Sequence, residues 1–338
     1  MRACLAGLLL VASSVTATAQ TTSTATAPVV ADGPVAQRSV GDWLQRMHDA
    51  SRQRAYVGTF VVAGGGRLSS ARIWHVCDGA QQMERVESLT GAPRFTFRRN
   101  DQVLTFLPES RVVLAEKRES LGLFPQLLQS NSAALGQYYG VRELGSERVA
   151  GFEADVLELR PTDRLRFGYR VWIEKKTGLT VKLQTLDTQG QVLEQAAFSE
   201  LKFEAPVSMA ELEQMMGQTK GYRLEKPEMR ETTAQAEGWA LKQVVPGFQP
   251  MRCYERSVKG SAQSQEAQTL QWIFSDGLAS VSLFIEPFVA GRHGPPKRLA
   301  VGATHTLTRR FGTWWLTAVG EVPTKTLAAF AQALERQK

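Results

Sequence analysis

The side chains able to do chemistry in this chain are few and scattered. There are four histidines, His48, His75, His293 and His305, and three cysteines, Cys4, Cys77 and Cys253. No two histidines form an H-E-x-x-H pair, and the cysteines make no C-x-x-C motif, so neither a zinc hydrolase nor a thiol redox site is indicated. No G-x-S-x-G elbow, phosphate-binding G-x-x-x-x-G-K-[ST] loop or G-x-G-x-x-G fingerprint occurs. Gly64-Gly65-Gly66 has no Lys-Ser and no helix start after it, and reads as a hairpin loop. His75 sits mid-strand beside Trp74, the setting of a packed or edge histidine rather than a ligand. The basic, turn-rich run from Gly291 through Arg292, His293 and Lys297 to Arg298 could grip a phosphate, but reads better as a solvated surface loop. The expectation is a binding protein and not an enzyme, with no cofactor and no metal.

Aromatic side chains supply the alternative to catalysis. Tyr56, Phe60, Trp74, Phe95, Phe97, Phe106, Phe152, Phe167, Tyr169 and Trp172 fall along strand-like segments. Phe95 and Phe97 share one face, and Thr96 and Arg98 the other. Most such rings are ordinary core, but a strongly curved sheet can leave part of its apolar concave face open to an acyl chain. Each buried methylene is worth ~0.8 kcal/mol, enough for a partly open groove to hold a lipid tail. The candidate lipid-binding residues are Phe60, Trp74, Phe95, Phe97, Phe106 and Trp172. Arg94, Arg98 and Arg99 beside them are the candidates for an anionic headgroup.

The elements that must position these residues are mostly strands. Val40, Trp43, Leu44, Met47 and Ala50 recur at helical spacing, with Asp42 placed to cap the helix. Short β segments follow at 56–62, 71–77, 82–89, 94–99, 102–107 and 111–117. Turn signals such as Asp78-Gly79, Asn100-Asp101 and Pro108-Glu109 separate them, giving an antiparallel meander. Residues 121–139 read as mostly helical on Leu123, Phe124, Leu127, Leu128 and Leu135. Strands resume at 141–147, 152–160, 167–174, 180–187 and 191–203, and a short helix is expected at 209–216. A second β-rich unit has strands near 239–245, 253–258, 270–274, 279–286, 304–311 and 314–319. It closes on a helix from about Thr324, with Leu327, Phe330, Ala331 and Leu334 as its apolar face.

The chain's 338 residues suit two domains. Met1-Arg2, an apolar run from Leu5 to Val15 and Ala17-Thr18-Ala19 match a signal peptide over 1–19. A retained anchor is the alternative, though the run falls short of the ~20 apolar residues a span needs. Residues 20–39 read as a flexible Thr/Ala/Pro-rich leader. The domain bounds expected are 40–205 and 238–338, joined by a polar linker at 206–237. Export leaves Cys77 and Cys253, one in each domain, as two separate thiols or as an interdomain disulfide. The net charge of +7 favours anionic partners; outside the cytoplasm these are lipid headgroups or acidic protein segments rather than nucleic acid.

Several stretches resemble the RseB/MucB family of periplasmic sigma-E regulatory proteins. In the first half they are Arg72-Ile-Trp-His75, Asp78-Gly79, Met83-Glu-Arg-Val86, Leu89-Thr-Gly91-Ala-Pro93-Arg94, Tyr169-Arg-Val-Trp-Ile173 and Thr177-Gly178-Leu179. Leu186-Asp187, Gly190 and Val192-Leu-Glu-Gln195 follow. In the second half they are Val245-Pro246-Gly247-Phe248, Phe274-Ser-Asp-Gly-Leu278-Ala-Ser-Val-Ser282, Ala318-Val-Gly-Glu-Val-Pro323 and Thr326. Cys77, Cys253 and the Gly64–Gly66 loop depart from the family's pattern.

The resemblance implies an α+β, predominantly antiparallel fold. Its N-terminal part would be a curved sheet, a half-barrel enclosing helices like that of the lipoprotein carriers LolA and LolB. Its C-terminal part would be a smaller antiparallel sheet packed with a helix. It also implies a negative regulator of an envelope-stress sigma factor, located in the periplasm. Its partner would be the periplasmic domain of an RseA/MucA-type anti-sigma factor, shielded from proteolysis until lipopolysaccharide or a related lipid releases it. A homo-oligomer is left open. The rival reading is a periplasmic lipid or lipoprotein carrier of the LolA type, which has no need of the second domain.

Overall fold

A computed structural model describes residues 38–79, 81–117, 124, 135–204, 207–258 and 267–337. The expected signal peptide, most of the leader, and Leu123, Leu127 and Leu128 of the expected central helix lie outside the described residues.

The chain opens with α1 (Val40–Gln53). Asp42 is not its N-cap. Ser39 is, its hydroxyl accepting from the Asp42 amide while the Asp42 carboxylate accepts from the Ser39 amide. This reciprocal box satisfies two otherwise orphaned donors. The helix buries Val40, Trp43, Leu44, Met47 and Ala50, as their spacing requires.

Six strands follow: β1 (Tyr56–Gly64), β2 (Arg67–Cys77), β3 (Gln82–Ser88), β4 (Phe95–Arg99), β5 (Gln102–Leu107) and β6 (Val112–Lys117). After the one-turn α2 (Leu135–Tyr138) come β7 (Tyr139–Val149), β8 (Phe152–Pro161), β9 (Gly168–Glu174), β10 (Thr180–Leu186) and β11 (Val192–Phe203). Then come α3 (Met209–Met216), β12 (Arg223–Glu225) and β13 (Met229–Glu231). The remaining elements are β14 (Trp239–Leu241), β15 (Gln249–Val258), β16 (Ala267–Ser275), β17 (Ser280–Pro287), β18 (Lys297–Val301), β19 (Thr304–Phe311), β20 (Trp314–Gly320), α4 (Thr324–Ala333) and β21 (Leu334–Arg336).

The first sheet has twelve strands in the order β12-β6-β5-β4-β3-β2-β1-β11-β10-β9-β8-β7. All its pairs are antiparallel except β12 on β6. Two consecutive meanders therefore join through β1 and β11. An extra residue, Ser199, bulges β11 opposite Thr59 and Phe60, and the β9–β10 register slips between Thr180 and Lys182. Bulges bend and twist a strand, which is how so wide a sheet curls. Phe152, near the far edge, meets Phe203 of β11 edge to face at 5.2 Å.

The second sheet runs β13-β15-β16-β17-β20-β19-β18, and a separate ribbon pairs β14 with β21. Helix α4 seats Leu327, Phe330 and Ala331 on the face carrying Val281, Leu283, Leu316 and Ala318. Mostly antiparallel strands with few helices, in one large curved sheet and one smaller one, is thus the architecture.

Two expectations differ in detail. The polar stretch after Phe203 is packed rather than bare. Ser208 and Glu211 cap α3, which buries Leu212 and Met216 against the first sheet, and β12 and β13 each add to a different sheet. The basic loop ends in a strand: Lys297 and Arg298 begin β18, the outermost strand beside β19.

Candidate functional site

Cross-strand register sorts the candidate aromatics. Trp74 opposes Arg85, which opposes Phe97, which opposes Leu104, so these four share a face. Phe95 and Phe106 oppose one another on that face, and Phe97 and Phe106 meet edge to face at 5.6 Å. Helix α3 covers this surface with Leu212 and Met216, and Tyr222 packs edge to face on Phe106 at 5.3 Å. Phe97 and Phe106 are buried beneath, whereas Trp74 and Phe95 remain half-buried at the margin. The Arg85 guanidinium lies 4.5 Å from the Trp74 ring centre and 5.6 Å from that of Phe95. The same guanidinium donates to Glu87 Oε2 at 2.9 Å, so it lies over the rings as a paired cation at a half-open apolar margin.

The structure puts the other two candidates elsewhere. Phe60 lies on the opposite face of the sheet, packed with Phe124 and Phe198 at 5.7 and 6.2 Å. Trp172 is buried in the same cluster as Phe60, its indole N–H donating to Glu147 at 2.8 Å and the Lys182 ammonium resting 4.0 Å from its ring. Four of the six candidates therefore converge and two do not.

The three arginines separate likewise. Arg94 is exposed in the turn before β4. Arg99 ion-pairs with Glu213 of α3 and donates to Gln81, tying the helix to the sheet. Arg98 is buried: its Nε donates to Glu84 at 2.9 Å and its Nη1 to the Asn100 carbonyl at 2.9 Å. In this arrangement Arg98 is not presented to a headgroup, because β3 places a carboxylate directly opposite it in register. The same inner face holds His75, stacked 5.1 Å from Tyr56 and joined through Nδ1 to the Arg54 carbonyl. Burial pushes the His75 pKa down, against the pull of Glu84.

A feature not anticipated from sequence is the seam between the two sheets. Arg166 follows β8 and is fully buried. Its Nε donates to Asp276 Oδ2 at 2.8 Å, its Nη2 donates to the Pro246 carbonyl at 2.6 Å, and its Nη1 pairs with Asp163. Tyr139 Oη donates to the same Asp276 oxygen at 3.1 Å, while Oδ1 accepts from the amides of Leu278 and Ala279. Asp276 thus shapes the β16–β17 turn and anchors it to the first sheet. Thr326 Oγ1 donates to the Leu165 carbonyl at 2.6 Å, and Phe167 packs on His305 at 5.3 Å. A Cβ on Gly247, at φ +82°, would collide with the Arg166 guanidinium, which explains the glycine in Val245-Pro246-Gly247-Phe248. The Gly64–Gly66 tip also abuts the β18–β19 turn, where a Cβ on Gly65 would lie 2.7 Å from the Gly302 nitrogen.

Among the described residues, no three His, Cys, Asp or Glu side chains gather as a metal site, and no helix is long and apolar enough to cross a membrane. Cys77 and Cys253 are free thiols, half-buried and buried.

Both halves of the chain match one family. The MucB/RseB N-terminal domain matches residues 39–216, and the MucB/RseB C-terminal domain matches 233–335. The chain belongs to the MucB/RseB family. The sigma factor AlgU regulatory protein MucB of Pseudomonas aeruginosa is 30% identical over 304 residues, spanning 87% of this chain and 90% of that protein. The sigma-E factor regulatory protein RseB of Haemophilus influenzae is 23% identical, spanning 86% and 90%. The complex structure of Pseudomonas aeruginosa MucA/MucB superposes with a TM-score of 0.69 at 27% identity, covering 88% of this chain and 99% of that one. Agreement over both sheets at once, rather than over one module, makes the family assignment specific.

Proposed function

We propose that this protein is a periplasmic negative regulator of an envelope-stress sigma factor. It binds the periplasmic segment of an anti-sigma factor, shields that segment from regulated proteolysis, and lets go when lipopolysaccharide-type lipid binds. The observation that carries the reading is the match, over 88% of this chain, to MucB as it stands in complex with MucA.

The physics suits the role. A protein that shields needs a surface and no catalytic group, because an extended segment held against a sheet edge or groove cannot enter a protease cleft. The Arg166–Asp276 seam supports a fixed two-sheet surface by holding the sheets in one relation. The lipid part rests on Trp74 and Phe95 at the α3 margin, with Arg85 stacked on both rings and Arg94 exposed close by in the chain. Lipid can release the partner only by binding the free form better, and the coupling is reciprocal. A ~100-fold displacement corresponds to ~2.7 kcal/mol. Two modules, 40–205 and 238–338, belong to the same reading.

The test is a titration of purified protein with an anti-sigma periplasmic segment, followed by protease and then lipopolysaccharide. Binding and protection that lipopolysaccharide abolishes are expected. No binding at micromolar concentration overturns the regulator reading; binding indifferent to lipid removes the sensor and keeps the regulator.

A further inference from the structure

We propose that the outer edge of β18 is a docking site for an extended acidic segment of the partner protein, taken up as an additional strand of the second sheet. This rests on the reading above for the partner's identity, though not for the chemistry of the edge. Among the described residues, β18 pairs with β19 on one side and with no strand on the other. Every residue of β18 is exposed. Gly302-Ala303 form a two-residue turn with Gly302 at φ +58°, so Val301 and Thr304 close the hairpin as a hydrogen-bonded pair. Alternation along an antiparallel ladder then turns the N–H and C=O groups of Arg298 and Ala300 outward, unpaired. Natural sheets blunt such edges with short strands, prolines and charges. Here Pro295-Pro296 precede β18 and Lys297 and Arg298 lie on it, devices that repel a like-charged strand and leave the edge open to an acidic one.

Charge selects the occupant. From Pro287 to Gly320 the chain carries five basic residues, Arg292, Lys297, Arg298, Arg309 and Arg310, and no acidic one. Arg292 is held by Glu286, and Arg310 lies over Phe288 with its Nε donating to the Gly312 carbonyl. Lys297, Arg298 and Arg309 have no carboxylate partner among the described residues. These three rim a groove of about 530 Å³ between β18, β19 and α4, floored by Leu307, Ala328 and Ala331. Arg298 opposes Leu307 in register and so projects on the groove side. Every second side chain of an added strand would enter that groove, meeting two guanidinium groups over a short apolar floor. An acidic residue at alternate positions fits; a basic one does not. Edge-to-edge pairing with a second copy would set Lys297 and Arg298 against their own kind. On the opposite face, Leu299 and Val301 are exposed and offer apolar cover to the intervening residues.

The full-length mature protein would be titrated by calorimetry with the anti-sigma periplasmic segment, and separately with a short synthetic peptide of alternating Glu and Val. Amide exchange would be read at Arg298 and Ala300. Ala300→Pro deletes an outward donor without touching the bonds to β19, and Arg298→Glu/Arg309→Glu reverses the rim. Each variant should weaken binding on the order of tenfold, the scale of one lost backbone hydrogen bond for Ala300→Pro and at least that of a lost charge-assisted contact for the rim reversal. Both amides should exchange more slowly in the complex, and an unchanged melting temperature would confirm folding. Unaltered affinity in folded variants, or unaltered exchange at both amides, overturns the proposal. Loss of lipopolysaccharide binding with peptide binding intact also overturns it and marks a headgroup site. A dimer that Ala300→Pro dissociates overturns it in favour of self-association. If the synthetic peptide binds and the anti-sigma segment does not, the edge stands and the regulator reading fails.

Discussion

Arg166 and Asp276 meet across the seam between the two sheets, Nε to Oδ2 at 2.8 Å, with neither side chain exposed to solvent. A buried pair of this kind is weak evidence of net stabilisation, because desolvating both charges offsets their attraction. It is strong evidence that breaking one side is costly. Asp276→Ala would leave the buried Arg166 Nε and the Tyr139 hydroxyl without a partner, with Asp163 and the Pro246 carbonyl still on the other guanidinium nitrogens, and would free two turn amides. The expected loss is about 3–5 kcal/mol in urea unfolding. The double variant Arg166→Met/Asp276→Leu should lose less than the sum of its single changes. Additive losses would show that the pair does not act as a unit.

Two glycines with the same backbone angle should respond differently to alanine. Gly190 and Gly247 both sit at φ +82°, but a Cβ at Gly190 meets nothing within 4 Å, whereas one at Gly247 runs into Arg166. Gly190→Ala should cost about 1 kcal/mol, the strain of a left-handed residue alone. Gly247→Ala should cost clearly more and shift the Arg166 contacts. Equal shifts in urea midpoint for the two would argue that the seam yields freely at Pro246.

These positions also show what was legible in the sequence. Local signals carried most of the fold: Asp78-Gly79, Asn100-Asp101 and Pro108-Glu109 mark real hairpin turns, and Leu327, Phe330 and Ala331 do form the buried face of α4. What failed depended on a distant strand. Arg98 looks like a surface cation until Glu84 of β3 is placed opposite it. Arg166, within a run of charged and polar residues, gives no sign that it will be enclosed by Tyr138, Pro246, Phe248 and Asp276. Short strands such as β12, β13 and β18 form because an existing edge accepts them, and no periodicity of their own announces that. Sequence pattern put Phe95 and Phe97 on one face, but only the cross-strand register adds Trp74 and Phe106 to it, and only the packing shows that α3 covers it.

Acid should weaken the fold through His75. Burial among Tyr56, Glu84 and Arg98 lowers its pKa below the ordinary 6.5, although Glu84 at 3.8 Å opposes the shift. The folded imidazole therefore resists a proton that the unfolded chain accepts. Its contribution to stability is fully present above pH 6.5 and falls as the pH drops from there towards the folded value. His48 and His305 are shifted in the same direction and add to the same slope. In His75→Gln the dependence of unfolding free energy on pH below 6.5 should flatten. An identical slope would assign the effect to other groups.

The two thiols should differ in reactivity. Burial raises both, and carries Cys253 up to about 11, so almost none of it is thiolate at neutral pH. Cys77 is only half-buried. Iodoacetamide on the native protein, read by peptide mass spectrometry, should label Cys77 faster by at least about tenfold. Equal rates would mean that the groove beside Trp239 and Trp272, which Cys253 lines, opens readily.

Helix α3 should compete with lipid for the aromatic face. Leu212 is almost wholly buried against the cluster that holds Phe97 and Phe106, and the Arg99–Glu213 pair fastens the helix to β4. An acyl chain reaching those rings from the Trp74 margin must take the place of Leu212 and Met216. Leu212→Ala should therefore destabilise the protein by about 2–5 kcal/mol and at the same time raise its affinity for lipopolysaccharide, since the cover is loosened while the rings remain. Trp74→Ala should lower that affinity with a smaller effect on stability, because the ring is only half-buried. Arg99→Ala should resemble Leu212→Ala in direction and be weaker, its ion pair being partly exposed. Tryptophan fluorescence during a lipopolysaccharide titration reads all three. If Leu212→Ala binds lipid no better than the parent protein, α3 is a fixed part of the core and the acyl chain enters elsewhere.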